Sequence, residues 1–124
     1  DRVKNQIGAA VILIGHDMGL MAQFVDRVAV MYAGRLVEVS DVRDMFTSPH
    51  HPYAQALIRS LPNLDNKGVF QGIPGLAPSI LRLPPGCAFH PRCDQAREVC
   101  KTARPRTQVL PDGRLVTCHL FEGA

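Results

Sequence analysis

The first apolar feature of the chain is continuous rather than periodic. "AAVILIG" (Ala9 to Gly15) is rich in β-branched residues, which suits a strand buried on both faces of a parallel sheet. Asp17 stands where a helix cap belongs, and Leu20, Met21, Phe24 and Val25 form one apolar face behind it. The runs "RVAVMYA" and "RLVEV" flank Ala33-Gly34 and predict two short antiparallel strands around a tight turn. Ser40 is placed to cap a short helix over Asp41 to Phe46, closed off by Pro49. In "HHPYAQALIRSLP" (His50 to Pro62), Pro52 falls in a first helical turn and Tyr53, Ala54, Leu57, Ile58 and Leu61 share one face, the pattern of an amphipathic helix.

Beyond that helix the period is lost. Asn63 to Gly86 is dense in Pro and Gly and reads as an extended linker. The chain then alternates in "TQVLPDGRLVTCHLF" about Pro111-Asp112-Gly113, which predicts a hairpin. No internal repeat is present. The order strand, helix, hairpin, helix is that of the end of an α/β domain, with too few strands to make a sheet alone. A small loop-rich module containing the cysteines follows, and the division falls between residues 1–48 and 49–124.

At 124 residues the chain fits one small domain or part of a larger one. Asp1 replaces an initiator Met, and "DRVKNQIG" reads as the tail of a charged helix, so a fragment is expected. An apolar fraction of 46% excludes wholesale disorder. Net charge is +3, yet Arg82 to Arg114 holds seven Lys or Arg (Arg82, Arg92, Arg97, Lys101, Arg104, Arg106, Arg114) against three acids (Asp94, Glu98, Asp112). That patch is too thin and too poor in aromatics to imply nucleic acid. No segment approaches the roughly 20 apolar residues of a membrane span, and the first residues lack a signal peptide's features. The expectation is a cytosolic chain with reduced thiols.

Cys87, Cys93, Cys100 and Cys118 are then the main chemical question. A lone buried cysteine is by default a small core hydrophobe, but four in the half least able to build a core ask for more. Two disulfides would suit a secreted module and rank second here. A catalytic thiolate, with His90 or His119 as its base, uses one cysteine and ranks last. A metal uses all four, since thiolates select zinc, cuprous copper or iron–sulfur clusters. Structural zinc usually takes at least one pair spaced by two to four residues, whereas the pattern here is C-x5-C-x6-C-x17-C. Such spacing puts each sulfur on its own piece of chain and favours a 4Fe-4S cube over zinc. Asp94 is expected to cap a short helix that places Cys93 and Cys100 on one side, with Cys118 arriving from the last strand. His119, adjacent to Cys118 on that strand, would face away. The surrounding positive charge would offset an anionic cluster or, with equal weight, is a solvated surface.

Two stretches resemble a known family. "VILIGHDMGLMAQFVDRVAVMYAGRLVE" (Val11 to Glu38) is similar to the segment after the Walker B strand of ABC-type ATPases. "SPHHPYAQALIRSLP", then "GIPGLAP", "PPGCAFHPRC" and the late Cys-His, resemble the C-terminal extension of dipeptide/oligopeptide importer ATP-binding subunits. The resemblance implies that His16 is the switch-loop histidine, contacting the ATP γ-phosphate and helping to position the attacking water; Asp17 more plausibly caps the helix. It implies a 4Fe-4S cluster on Cys87, Cys93, Cys100 and Cys118. It also implies ATP and Mg in the intact protein, a second nucleotide-binding subunit and membrane permeases as partners, and a place on the cytoplasmic face of the membrane. Gly15 stands where the family often has Thr. No phosphate loop, signature motif or Walker B acidic pair occurs in the sequence, so this chain alone is expected neither to bind ATP tightly nor to hydrolyse it. His51, Pro52 and Tyr53 read as a helix-start device. The fragment is expected to self-associate through bare apolar faces and a sheet edge. A stand-alone cytosolic metal-binding interaction module without an ATPase role is the alternative.

Overall fold

The computed structural model describes residues 10–15, 18–61, 73 and 75–122. Among them the chain forms a small α/β unit around one antiparallel sheet. Strand β1 (Arg27–Tyr32) and β2 (Arg35–Asp41) form the predicted hairpin, and β3 (Thr107–Val109) and β4 (Leu115–Thr117) form the second. The two hairpins join through β2 and β4, so the sheet order is β1-β2-β4-β3. Glu38 faces Val116 and Val39 faces Leu115 across that join.

The first turn is set by Ala33 and Gly34, both at positive φ (51° and 81°), the pair of left-handed residues that lets a two-residue hairpin follow the strand twist. In β1, Val28, Val30 and Tyr32 alternate toward the core as a half-buried strand requires. In β2 the alternation breaks. Val30 pairs with Glu38 and Met31 with Leu36, which leaves Val37 as an extra residue, and this bulge allows both Val37 and Glu38 to be buried.

Helix α1 (Met18–Met21) is a single turn, α2 spans Val42–Thr47, and α3 spans Pro52–Ser60. The helix expected from Leu20 to Val25 is thus shorter than its periodicity suggested. Ser40 does not cap α2: Asp41 is at the cap position without a side-chain bond, and the Ser40 hydroxyl donates to the Asp41 carbonyl instead. The apolar run Ala10–Gly15 is not a strand and is exposed throughout. A run fit for burial on both faces needs a strand on each side, and no strand lies beside it among the described residues. His16, Asp17, and residues 63–72 and 74 of the Pro/Gly-rich stretch lie outside the described residues.

The core is Val30, Tyr32 and Val37 from the first hairpin, Met45 from α2, Ala54 from α3, and Phe89. Phe89 inserts from the cysteine region and packs edge-on against Tyr32, with ring centroids 5.1 Å apart, while Tyr53 lies 4.6 Å from Tyr32 and 5.3 Å from Phe89. Cys87 and Cys93 pack against the same cluster. The cysteine region is therefore built onto the sheet's core.

Candidate functional site

Four short irregular pieces carry the cysteines. Cys87 precedes a 3-10 turn (His90–Arg92), Cys93 ends it, Cys100 lies in a second (Glu98–Lys101), and Cys118 opens a third (His119–Phe121) directly after β4. The helix expected to carry both Cys93 and Cys100 is absent; a turn at Asp94 and Gln95 separates the two 3-10 segments. Proline at residue 91 and the lack of any apolar period between Asp94 and Arg97 give an α-helix nothing to propagate on.

The pieces converge nonetheless. Cys87, Cys93, Cys100 and Cys118 all border one small cavity of about 10 Å³, room for roughly one water. All four are free thiols, Cys100 and Cys118 buried and Cys87 and Cys93 half-buried. The Cys87 amide donates to the Cys100 carbonyl at 2.8 Å, tying the first piece to the third. Gly86 makes that approach possible. Its φ is +73°, and a Cβ there would collide with the Cys100 carbonyl oxygen and the backbone of Lys101 and Thr102.

Backbone amides are aimed at the sulfurs. Gln95 N–H donates to Cys93 Sγ and Arg97 N–H to Cys100 Sγ, each at 3.4 Å. Backbone hydrogen bonding from Phe89 at Cys87, and from Leu120 at Cys118, holds those thiols down against burial. Burial nevertheless prevails and raises Cys87 and Cys93, and pushes Cys118 up to about 11, with the neighbouring cysteines adding to the rise. These are protonated thiols near neutrality, unlike an activated nucleophile. No group of three or more His, Cys, Asp or Glu side chains among the described residues is arranged to hold a metal ion. What the cavity brings together is four sulfurs, with backbone amides directed at Cys93 and Cys100.

Three histidines border the same cavity. His119 has both ring nitrogens committed, Nδ1 to Glu122 Oε2 at 3.0 Å and Nε2 to the Ala103 carbonyl at 2.7 Å. Its side chain borders the same cavity as the cysteines, so it does not face away from them as the strand alternation predicts. His90 Nδ1 lies 2.7 Å from the Cys87 carbonyl. His51 caps α3, its Nδ1 accepting the Tyr53 amide proton at 3.0 Å, with Pro52 behind it as the first helical residue. Burial lowers its pKa to about 4. The helix-start role expected of "HPY" is thus observed.

A buried ion pair sits behind this segment, and sequence reasoning missed it. Glu38 is fully buried and accepts from the amides of His50 (2.9 Å) and His51 (2.7 Å) through Oε1. Its Oε2 accepts from Arg114 Nη1 at 3.1 Å, and the same guanidinium nitrogen donates to the Ser48 carbonyl at 2.6 Å. Arg114 is 4% exposed, so it belongs to the interior and not to a solvated basic patch. A glutamate within a run of valines was the available signal, but the bulge that turns it inward leaves no mark in the sequence.

The family model described as "Oligopeptide/dipeptide transporter, C-terminal region" matches residues 37–100. Over 119 residues the chain is 44% identical to the oligopeptide transport ATP-binding protein OppD of Salmonella typhimurium, a match covering 95% of this chain and 35% of that protein. It is 41% identical over 122 residues to the dipeptide transport ATP-binding protein DppD of Caldanaerobacter subterraneus (97% of this chain, 37% of that protein). Against the oligopeptide transport ATP-binding protein AppD of Bacillus subtilis the identity is 40% over 118 residues (94% and 36%). The chain spans about a third of the length of these relatives. From "VEVSD" in β2 through the helix capped by His51 to Cys100, the chain belongs to the oligopeptide/dipeptide transporter C-terminal region family.

Proposed function

We propose that this chain is the C-terminal part of the ATP-binding subunit of a peptide importer of the ABC type, and that its four cysteines hold a 4Fe-4S cluster. The observation that carries the first statement is the family match over residues 37–100. Relatives named as oligopeptide and dipeptide transport ATP-binding proteins support it. Residues 1–48 then correspond to the end of the ATPase domain and 49–124 to the extension. The intact subunit would bind ATP and Mg, pair with a second nucleotide-binding subunit, and sit beneath membrane permeases on the cytoplasmic face. No helix among the described residues is long and apolar enough to cross a membrane. His16 would contribute a donor to the γ-phosphate, where phosphoryl transfer needs oriented charge more than covalent help.

Support for the cluster is the convergence of Cys87, Cys93, Cys100 and Cys118 on one cavity with backbone amides directed at sulfur. The wide spacing favours four separately presented thiolates over a zinc knuckle. When bound, the cluster supplies a structural staple for a segment poor in regular structure.

Deleting the encoding gene and following growth on di- and oligopeptides, as sole source of a required amino acid, tests the transport role. Growth on peptides is expected to fail while growth on the free amino acid continues. Unchanged growth on every peptide would contradict the proposal.

A further inference from the structure

A second cavity, of about 50 Å³, lies against the aromatic cluster and is lined by the buried side chains of Tyr32, Val37 and Phe89. We propose that it is a binding site for a small branched aliphatic carboxylate, whose hydrocarbon part fills the cavity and whose charge is met by Arg35 and Arg104. Both arginines line the cavity, and no Asp or Glu does. The proposal is independent of any metal at the cysteines.

The lining is assembled from distant parts of the chain. Arg35 opens β2 directly after the Ala33-Gly34 turn, so the first hairpin supplies one side. Leu83-Pro84 and Arg104-Pro105 supply another. Gly86 lets these two pieces run close together, because its backbone packs against residues 100–102 with no room for a Cβ. Pro84 and Pro105 carry no amide proton, so this side offers hydrocarbon rather than backbone donors. Neither the Arg35 nor the Arg104 guanidinium has a hydrogen bond or ion pair among the described residues. By contrast, Arg92 donates to the Tyr32 hydroxyl and the Ile73 carbonyl, and Arg114 to Glu38.

Size selects the hydrocarbon part. The cavity has roughly a third of the ~150 Å³ that takes up benzene, too little for an aromatic ring and enough for an isopropyl or isobutyl group. Charge selects the other end. Arginine pairs with carboxylates through its planar fork of donors, and no acidic side chain lines the cavity to repel an anion. Both arginines are exposed, so solvent and salt screen the attraction. A ligand this small then binds with a Kd on the order of millimolar. The same chemistry belongs to a free branched-chain acid and to the C-terminal valine or leucine of a peptide.

Saturation-transfer NMR titration of the full chain with isovalerate tests the site. Isovalerate is expected to bind about tenfold more tightly than isovaleramide, which has its shape without the charge. Acetate, which has the charge without the hydrocarbon, is expected to be weaker by a similar factor. The double variant Arg35→Gln with Arg104→Gln is expected to bring isovalerate down to the affinity of the amide. Glycyl-valine that displaces isovalerate identifies the ligand as a peptide end, and failure to displace it identifies a free acid; either supports the site. No saturation transfer to isovalerate, equal affinity for isovalerate and its amide, or binding unchanged in the double variant would overturn the proposal. Should the double variant fail to fold, salt decides instead. The preference of the parent chain for isovalerate over isovaleramide is expected to vanish in about 1 M sodium chloride, where the screening length falls to about 3 Å; a preference that survives would overturn the role of the two arginines.

Discussion

Glu38 and Arg114 lie 76 residues apart and meet in the interior. Removing one partner strands the other's charge, so Glu38→Ala or Arg114→Ala is expected to cost about 3–5 kcal/mol. The double replacement Glu38→Met with Arg114→Met should cost much less than the sum of the single ones. Urea unfolding of the cycle measures this, and strictly additive losses would show that the pair is not coupled. His51 brings a pH dependence with a definite sign. Burial holds its folded pKa at about 4, below the ordinary imidazole value of 6.5, so the fold prefers the neutral ring. The contribution is complete above pH 6.5 and is lost as pH falls toward 4, on the order of 3 kcal/mol. Metal-free parent protein should therefore lose more stability between pH 7 and pH 4 than His51→Asn does. Equal losses would remove His51 as the cause. At Gly86 both the positive φ and the crowding against Cys100 resist any side chain. Gly86→Ala is expected to destabilise the chain by a few kcal/mol and to loosen Cys87 from Cys100, seen as faster alkylation of both thiols. A rate like the parent's would show that the Cys87 amide bond does not hold the two pieces together.

At the scale of elements, Tyr32, Tyr53 and Phe89 join the first hairpin, α3 and the cysteine region into one aromatic cluster. Phe89→Ala is expected to cost about 3–5 kcal/mol and to expose Cys87 and Cys93 together, because both pack on the same core. A loss of stability with no change in thiol reactivity would mean that the cysteine region is held by other contacts. The hairpins and α3 were legible in the sequence because their signals are local: Ala33-Gly34 for one turn, Pro111-Asp112-Gly113 for the other, and a capped amphipathic face for the helix. The β2–β4 pairing was not legible. It joins residues far apart by a register that no local pattern encodes, and it sets β4 beside β2 in one sheet. The bulge at Val37 hid the inward turn of Glu38 for a related reason, since alternation assumes an unbroken ladder. The apolar run Ala9 to Gly15 predicts a buried strand, but strands are completed by their neighbours, and among the described residues none adjoins Ala10–Gly15. The four cysteines were legible as a group, whereas the helix drawn between Cys93 and Cys100 was not what holds them. Their gathering depends on Gly86, Phe89 and β4, which act at long range.

For the molecule as a whole, the exposed side chains of Ile12, Ile14, Leu76 and Leu81, each about nine-tenths exposed, amount to more apolar surface than a solitary small domain usually presents. Strands β1 and β3 also form the sheet's edges, where unpaired backbone invites further pairing. The isolated chain is expected to self-associate, with a light-scattering mass that rises with concentration; a constant monomer mass would contradict this. The relatives it matches are about three times longer, and in the proposed intact subunit these surfaces would be covered by the rest of the ATPase. The proposed iron–sulfur centre at Cys87, Cys93, Cys100 and Cys118 is tested most directly by Mössbauer spectroscopy of 57Fe-enriched protein, isolated without air and paired with iron and sulfide analysis. The expected result is about four iron and four sulfide per chain with the spectrum of a 4Fe-4S cube, lost on replacing any one of the four cysteines by Ser. One zinc per chain, or no metal in protein kept anaerobic throughout, would contradict it.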